Sequence, residues 1–204
     1  MHLFDMTPVG ALTQEQVQEI ISPIQSELCQ CWHDGWHDWM NEVSELGRSK
    51  LLKRSRANNV NDFAVHSAAT RFANRTDVTP DRALGFFKLY VGGAQIVLRF
   101  KRLSPDHLAK NVRTAQQRAY YRNEYIPGIY PGAMRLTVGY VLDAIEGDIH
   151  DILITSQLGQ KYLLWSFSIM EEAHTMAFPS STAAPVESSV QFQPNMPAVA
   201  AEAT

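Results

Sequence analysis

The sequence predicts an α+β fold, with N-terminal helices packed on one face of a mostly antiparallel sheet of about five strands. Apolar residues recur at helical spacing through residues 1–75, and from Ala83 onward they alternate as in strands. The predicted order is helices, two strands, one helix and three strands. This order favours a sheet whose helices are segregated from its strands.

Length and composition indicate one folded domain. The chain has 204 residues, of which 45% are hydrophobic and 19% charged, and these values exclude a fibrous or wholly disordered protein. We assign residues 1–170 to a single domain, with 1–75 helical and 83–170 forming the sheet with one helix. Residues 171–204 are rich in Ala, Pro, Ser and Thr without apolar periodicity, which predicts a disordered tail.

The predicted first helix starts at a capping box formed by Thr13 and Gln16 and continues to about Cys31. Pro23 lies inside this helix, so we expect a kink or a restart near Ser22.

Two more helices are expected before the strands. Residues 32–46 place three tryptophans three or four residues apart, interrupted only by Gly35, and such an aromatic face is typical of core packing. The next helix is expected over 61–73, and a loop is expected over 76–82.

The first two strands are predicted over 84–91 and 95–103, because a glycine pair between them is a strong hairpin signal. Alternation along the second strand leaves one apolar face and one face that ends in Arg99 and Lys101.

A helix is expected over 108–125. Three further strands are expected over 134–142, 149–156 and 161–169.

Charge is distributed in three blocks, although the net charge is only −3. Residues 1–47 hold eight acids and no Lys or Arg, whereas residues 48–122 hold 16 of the 18 basic residues against four acids. Residues 123–204 are acidic again. A surface this basic binds phosphate polymers through counterion release, so the middle block predicts a nucleic-acid partner. The alternative is an internal match, with the acidic N-terminal helix on the basic segment.

The candidate nucleic-acid-binding residues form two groups. The first is the run 48–56, which suits phosphates because Arg offers a bidentate fork and Lys a mobile charge; the alternative is a solvated helix face. The second group combines cations at the end of a strand with cations on the following helix, and we expect them to surround one opening. Tyr120 and Tyr121 on that helix are candidates for stacking on bases. The candidates are Arg48, Lys50, Lys53, Arg54, Arg56, Arg99, Lys101, Arg102, Lys110, Arg113, Arg118 and Arg122.

A Gln-xxx-Tyr spacing occurs twice after the second strand, in Gln116 with Tyr120 and in the pair one residue later. Over residues 95–121 this pattern resembles one branch of the PD-(D/E)xK nuclease superfamily. The resemblance implies metal-dependent cleavage with Mg²⁺ as cofactor, and it makes Lys101, Gln116 and Tyr120 catalytic candidates.

The chain departs from that nuclease pattern at the strand end. It has Arg99, a spacer and Lys101 where the family has an acid, a spacer and a Lys. Because Arg cannot bind Mg²⁺, the metal ligands would have to come from elsewhere, such as Glu42, Glu45 or Asp81.

A second possible metal site is suggested by His33 and His37, which share a helix face at i and i+4. Cys29 and Cys31 lie just before them, with reduced thiols expected. On a continuous helix these cysteines point about 200° apart, so both could bind one ion only if the helix breaks near Cys31. The alternative is ordinary amphipathic packing.

A broader resemblance covers residues 95–169, in the segments IVLRFKRL, NVRTAQQRAYY, RLTVGYVLDAIEGDIHDILIT and LLWSFSI. They are similar to bacterial prophage and defence-island proteins encoded beside Xre-type regulators with an ImmA/IrrE-type metallopeptidase domain. The resemblance implies a toxin–antitoxin or similar two-gene module, in which this chain is the effector and a cognate antitoxin or regulator is its partner. It implies no catalytic residue.

The sequence therefore predicts a cytoplasmic effector that acts on nucleic acid through residues 48–122, and a nuclease if it is an enzyme. The alternative is a non-enzymatic interaction protein whose basic segment binds an acidic partner. No apolar run approaches the roughly 20 residues needed to cross a bilayer, so no membrane partner is expected.

Overall fold

The computed structural model has five α-helices and six strands within the described residues, which are 12–109, 114–159 and 161–170. This architecture confirms the predicted α+β fold. The elements are α1 (Gln14–Ile21), α2 (Gln25–Glu42), α3 (Glu45–Lys50), α4 (Lys53–Arg71), β1 (Val78–Asp81), β2 (Lys88–Val91), β3 (Ile96–Arg102), α5 (Ala115–Tyr121), β4 (Met134–Leu142), β5 (Ile149–Leu158) and β6 (Tyr162–Ser168).

The six strands form one sheet in chain order, from β1 to β6. All neighbouring strands are antiparallel except β3 and β4, which are parallel. Parallel neighbours need a crossover connection, and the segment that contains α5 supplies it. The crossover places α5 against one face of the sheet.

We call the opposite face, which packs against α1, α2 and α4, the helix face. Trp32 of α2 is fully buried there, with its ring centroid 5.3 Å from that of Phe100 and 4.9 Å from that of Tyr140. Helices α2 and α4 approach so closely at Gly35 that an added Cβ would lie 2.5 Å from the backbone nitrogen of Ala64. Gly35 is therefore required by packing, not by backbone conformation.

The crossover face of the sheet packs against α5 and the loop at 126–133. Its apolar cluster includes Tyr90, Val97, Tyr120 and Leu153. The hydroxyl of Tyr120 lies 3.0 Å from the carbonyl oxygen of Val97 and 2.9 Å from that of Leu136, and it can donate to either. These contacts fix α5 to the middle of the sheet.

Most predicted elements are confirmed. The capping box at Thr13 is present, and a 3-10 helix over Ser22–Ile24 interrupts the first helix at Pro23. Strand β4 has the predicted bounds. The predicted disordered tail, residues 171–204, lies outside the described residues.

Other predictions were wrong. The expected loop over 76–82 contains β1, an edge strand in which Pro80 pairs with Leu89. An edge position tolerates the missing N–H of Pro.

The helix expected over 108–125 is also shorter, because α5 begins after Thr114 and ends at Tyr121. The side chain of Thr114 caps α5 by accepting a hydrogen bond from the Gln117 amide. Helix α4 starts at Lys53, earlier than predicted.

The helix predicted over 32–46 is also divided differently. Helix α2 begins at Gln25 and runs without a break through Cys31 to Glu42, and α3 follows after Ser44. The hydroxyl of Ser44 accepts a hydrogen bond from the Gly47 amide and so caps the new helix.

Candidate nucleic-acid interface

Half of the basic residues described between 48 and 122 form ion pairs within the chain. The paired residues are Lys53, Arg56, Arg71, Arg75, Lys88, Arg102 and Arg122. Two of them pair with acids of α2: Arg71 with Asp34 at 2.8 Å and Arg75 with Glu27. Burial raises the pKa of Asp34, but hydrogen bonds from Gln30, Arg71 and Ser67 outweigh it and hold that pKa below its usual value. The internal match of acidic helix and basic segment is therefore present in part.

The basic run 48–56 is also partly neutralised. Glu146, in the turn between β4 and β5, lies 2.9 Å from Lys53, 3.5 Å from Arg56 and 3.0 Å from Arg102. Its hydrogen bonds, first of all that from Lys53, hold the pKa of Glu146 below its usual value. Three of the predicted phosphate-binding residues are therefore engaged by one carboxylate.

The remaining cations of this run differ in accessibility. Arg48 donates hydrogen bonds to the carbonyl oxygens of Met40 and Val43, so it caps the end of α2. Lys50 and Arg54 are exposed, with no acidic partner among the described residues.

The three cations at the end of β3 do not surround one opening, because they lie on different faces of the sheet. Successive strand residues point to opposite faces, so Arg102 reaches Glu146 on the helix face whereas Arg99 lies under the crossover. The Arg99 guanidinium is buried between the rings of Phe86 and Tyr120, at 4.5 and 5.0 Å from their centroids. Lys101 is half-buried, and burial together with the charge of Arg99 lowers its pKa to about 8.

The cations of α5 lie in a different place. Arg118 and Arg122, one helical turn apart, line a cleft of about 550 Å³ with Tyr121 of the same helix. The other side of this α5–β6 cleft is formed by the turn that joins β5 to β6. Its described lining residues are Arg118, Tyr121, Arg122, Leu158, Gly159, Lys161 and Tyr162.

Local contacts position the two sides of the α5–β6 cleft. The Gly159 amide donates to the carbonyl oxygen of Tyr121 at 3.1 Å, which ties the β5–β6 turn to the end of α5. Tyr162 begins β6 and is 59% exposed, so its ring is available to a ligand. Arg122 lies 3.6 Å from Glu124, but both side chains are more than half exposed, and such pairs are weak.

The α5–β6 cleft is electropositive, because its described lining contains three cations and no acid. Sequence reasoning identified Arg118, Arg122 and Tyr121 but missed Lys161 and Tyr162. Nothing in the local sequence links those two residues to α5, since only the turn that folds back onto the helix brings them together.

Two cations of the predicted second group, Lys110 and Arg113, lie outside the described residues. They are therefore not assigned to the α5–β6 cleft.

The catalytic candidates do not converge on a metal site. Tyr120 is fully buried, its hydroxyl contacts backbone carbonyl oxygens, and burial raises its pKa well above the usual value. Gln116 is half-buried on α5, and Lys101 interacts with the charges of Arg99 and Asp62. Asp81, one of the proposed metal ligands, pairs with Lys88 at 2.8 Å. Within the described part of the chain no three His, Cys, Asp or Glu side chains form a potential metal site, so the residues present do not fit the Mg²⁺ centre of the nuclease hypothesis.

The histidine and cysteine candidates on α2 point in different directions. His33 and His37 are exposed, and the His37 ring contacts the side-chain amide of Asn41. Cys31 is buried, and burial raises the pKa of its thiol to about 11. Cys29 donates a hydrogen bond to the carbonyl oxygen of Ile169. Because α2 is continuous, these four residues do not converge on one ion.

A scan against models of known protein families finds no match, and comparisons with curated proteins and with solved structures find none either. In the described part of the chain, every helix is too short or too polar to cross a membrane.

Proposed function

We propose that this protein binds single-stranded nucleic acid in the α5–β6 cleft. The observation that carries the proposal is the convergence of Arg118, Arg122 and Lys161 with the exposed ring of Tyr162 in one electropositive cleft. Phosphates and bases are the two groups that such a lining recognises together.

Each part of the cleft has a role in this proposal. The guanidinium groups of Arg118 and Arg122 offer bidentate hydrogen bonds to phosphate oxygens, and Lys161 adds a mobile charge. The Tyr162 ring provides a stacking surface for a base, which a single strand can present and a duplex cannot. A cleft of about 550 Å³ also has the size of a typical ligand site.

The other basic surfaces support this function less well. Lys53, Arg56 and Arg102 are engaged by Glu146, and a phosphate would have to displace that carboxylate. Arg99 is only 5% exposed and cannot reach the backbone of a polymer.

In the wider role that the resemblance implies, this chain is the effector of a bacterial toxin–antitoxin or phage-defence module. That role is a proposal based on the segments within residues 95–169. No group of three His, Cys, Asp or Glu side chains that could hold a metal ion lies in the described part of the chain, and the primary activity that we propose is binding.

A second candidate function is binding of an acidic partner protein, such as a cognate antitoxin. It is favoured by β6, which is the last strand of the sheet among the described residues and exposes Leu163 and Leu164 beside the basic cleft. Edge strands with exposed apolar residues are ready to pair with another chain.

Salt-dependent binding of a fluorescent single-stranded oligonucleotide tests the nucleic-acid proposal. For Arg118→Gln/Arg122→Gln we expect weaker binding and a log–log salt slope that is smaller by about 1.4, since each lost phosphate contact contributes about 0.7 on single strands. The matched control is Lys50→Gln/Arg54→Gln, which removes two exposed cations elsewhere. The proposal fails if the control lowers the slope and the cleft variant does not.

Expression in a bacterial host tests the effector role. We expect the wild-type chain to slow growth and Arg118→Glu/Arg122→Glu to relieve the effect. Degradation of the host's DNA or RNA would indicate that the protein also cleaves nucleic acid. Normal growth with the wild-type chain would contradict the effector role and favour the interaction protein.

A further inference from the structure

A row of polar side chains crosses the buried centre of the crossover face. Arg99 of β3 pairs in register with Thr137 of β4, Thr137 pairs with Thr155 of β5, and Thr155 pairs with Ser166 of β6. Residues paired in register project on the same side of a sheet, so these side chains are neighbours. Arg99, Thr137 and Thr155 are each 5% exposed or less.

The three buried members of this row lack hydrogen-bond partners. Arg99 Nη1, Thr137 Oγ1 and Thr155 Oγ1 are all buried and make no hydrogen bond. Buried polar groups in folded proteins are normally hydrogen-bonded, so three unpaired neighbours in one row could together bind a polar ligand.

The charges around the row indicate which kind of ligand it would bind. Within the described residues neither Arg99 nor Lys101 has a carboxylate within 4.0 Å. Arg135, on the next strand, donates its hydrogen bonds to carbonyl oxygens and not to an acid. A buried guanidinium without a counter-charge is costly, so an anion is the occupant that this row favours.

The orientation of Arg99 also suits an anion. Phe86 and Tyr120 cover its guanidinium at 4.5 and 5.0 Å, which limits its motion. A cation–π contact uses the charge of the guanidinium and not its N–H donors, so Nη1 remains free to donate a hydrogen bond.

We propose that the crossover face holds a small oxyanion, the phosphate or carboxylate group of a small molecule. Arg99 Nη1 donates to it, and the hydroxyls of Thr137 and Thr155 donate from the neighbouring strands. This site is separate from the α5–β6 cleft and does not depend on the proposed nucleic-acid binding, because its groups are buried beyond the reach of a polymer backbone.

Thermal melting of the full chain in inorganic phosphate tests this proposal, with sodium chloride at matched ionic strength as the reference. We expect the melting temperature to rise with phosphate concentration, as it does for any ligand that binds only the folded state. A second series in sodium acetate identifies the group, since a rise in phosphate alone assigns phosphate and a rise in both assigns an oxyanion in general. No rise in either salt overturns the proposal.

The variant Thr137→Val/Thr155→Val keeps the side-chain shapes and removes both hydroxyls. We expect it to fold and to bind phosphate at least about tenfold more weakly, because hydrogen bonds to charged groups are stronger than neutral ones. Arg99→Met should abolish the response.

The control is Lys50→Gln/Arg54→Gln, which removes two exposed cations outside both sites and should keep the wild-type response to phosphate. The cleft variant Arg118→Gln/Arg122→Gln should keep the part of the response that depends on Thr137 and Thr155. The proposal is overturned if the threonine variant responds like the wild type, or if the cleft variant loses the response. Loss in the cleft variant would place the phosphate in the α5–β6 cleft, so failure of this site and failure of the proposed function are distinguished.

Discussion

The two faces of the sheet bury different kinds of side chain. On the helix face the central strands contribute apolar residues such as Leu98, Leu136 and Ile154. On the crossover face the same strands bury apolar residues such as Val97 and Leu153, but they also bury Arg99, Thr137 and other polar groups. The difference indicates that the helix face supplies most of the stability, whereas the crossover face carries groups that stability alone does not explain.

The largest expected effect is on the helix face. Replacing Trp32 by Ala removes a fully buried ring that contacts Phe100 and Tyr140, and we expect a loss of about 3–5 kcal/mol in the free energy of unfolding. Urea denaturation measures it. Tyr125→Ala, at a side chain that is 79% exposed, is the control and should change stability little. A loss of less than about 1 kcal/mol for Trp32→Ala would contradict a core centred on this face.

The next effect concerns a buried charge on the crossover face. Lys88 is fully buried and its ammonium lies 2.8 Å from Asp81, so Asp81→Ala leaves that charge without its acid. We expect a loss of up to about 3 kcal/mol by urea denaturation, because an uncompensated buried charge is strongly destabilising. The double variant Asp81→Leu/Lys88→Met should recover most of it. Equal losses in both variants would mean that packing, not charge, explains the effect.

A third change probes how tightly the helical layer is packed. Gly35→Ala places a Cβ against Ala64 in α4, and we expect destabilisation of about 1–3 kcal/mol from overpacking. His33→Ala, at an exposed position of α2, is the control. If Gly35→Ala is as stable as wild type, α2 and α4 do not approach as closely as described.

The last effect is a pH dependence of stability on the crossover face. Burial and the charge of Arg99 lower the pKa of Lys101 to about 8, below the 10.5 of an unperturbed lysine. Between these values the unfolded chain binds more protons than the folded one, so this residue adds stability as pH rises from about 8 to 10.5. We expect Lys101→Met to remove that rise in urea denaturation series. An identical rise in the variant would show that Lys101 is not its source.

Sequence patterns predicted the local structure better than the site. The break at Pro23 and the bounds of β4 follow from proline geometry and strict alternation, which are local properties. Strand β1 was missed because Thr79, Pro80 and Asp81 also form turns, and only pairing with β2 decides between the two.

The site required tertiary information that the sequence does not contain. The basic run 48–56 is clear in sequence, but its carboxylate partner, Glu146, lies about ninety residues away. Lys161 was not predicted to belong to the site, because it stands at the start of a predicted strand and far along the chain from Arg118. The charge pattern predicts an anionic partner, and the fold determines which cations remain available to it.

The most direct test of the proposed interface is to map where nucleic acid lies on the unmodified protein. A single-stranded oligonucleotide that carries 5-iodouracil can be crosslinked by light to nearby aromatic side chains, and the modified peptide identified by mass spectrometry. We expect the crosslink at Tyr162 or Tyr121, which line the α5–β6 cleft. Crosslinks confined to Trp36 or Trp39, near the basic run 48–56, would contradict the proposed interface.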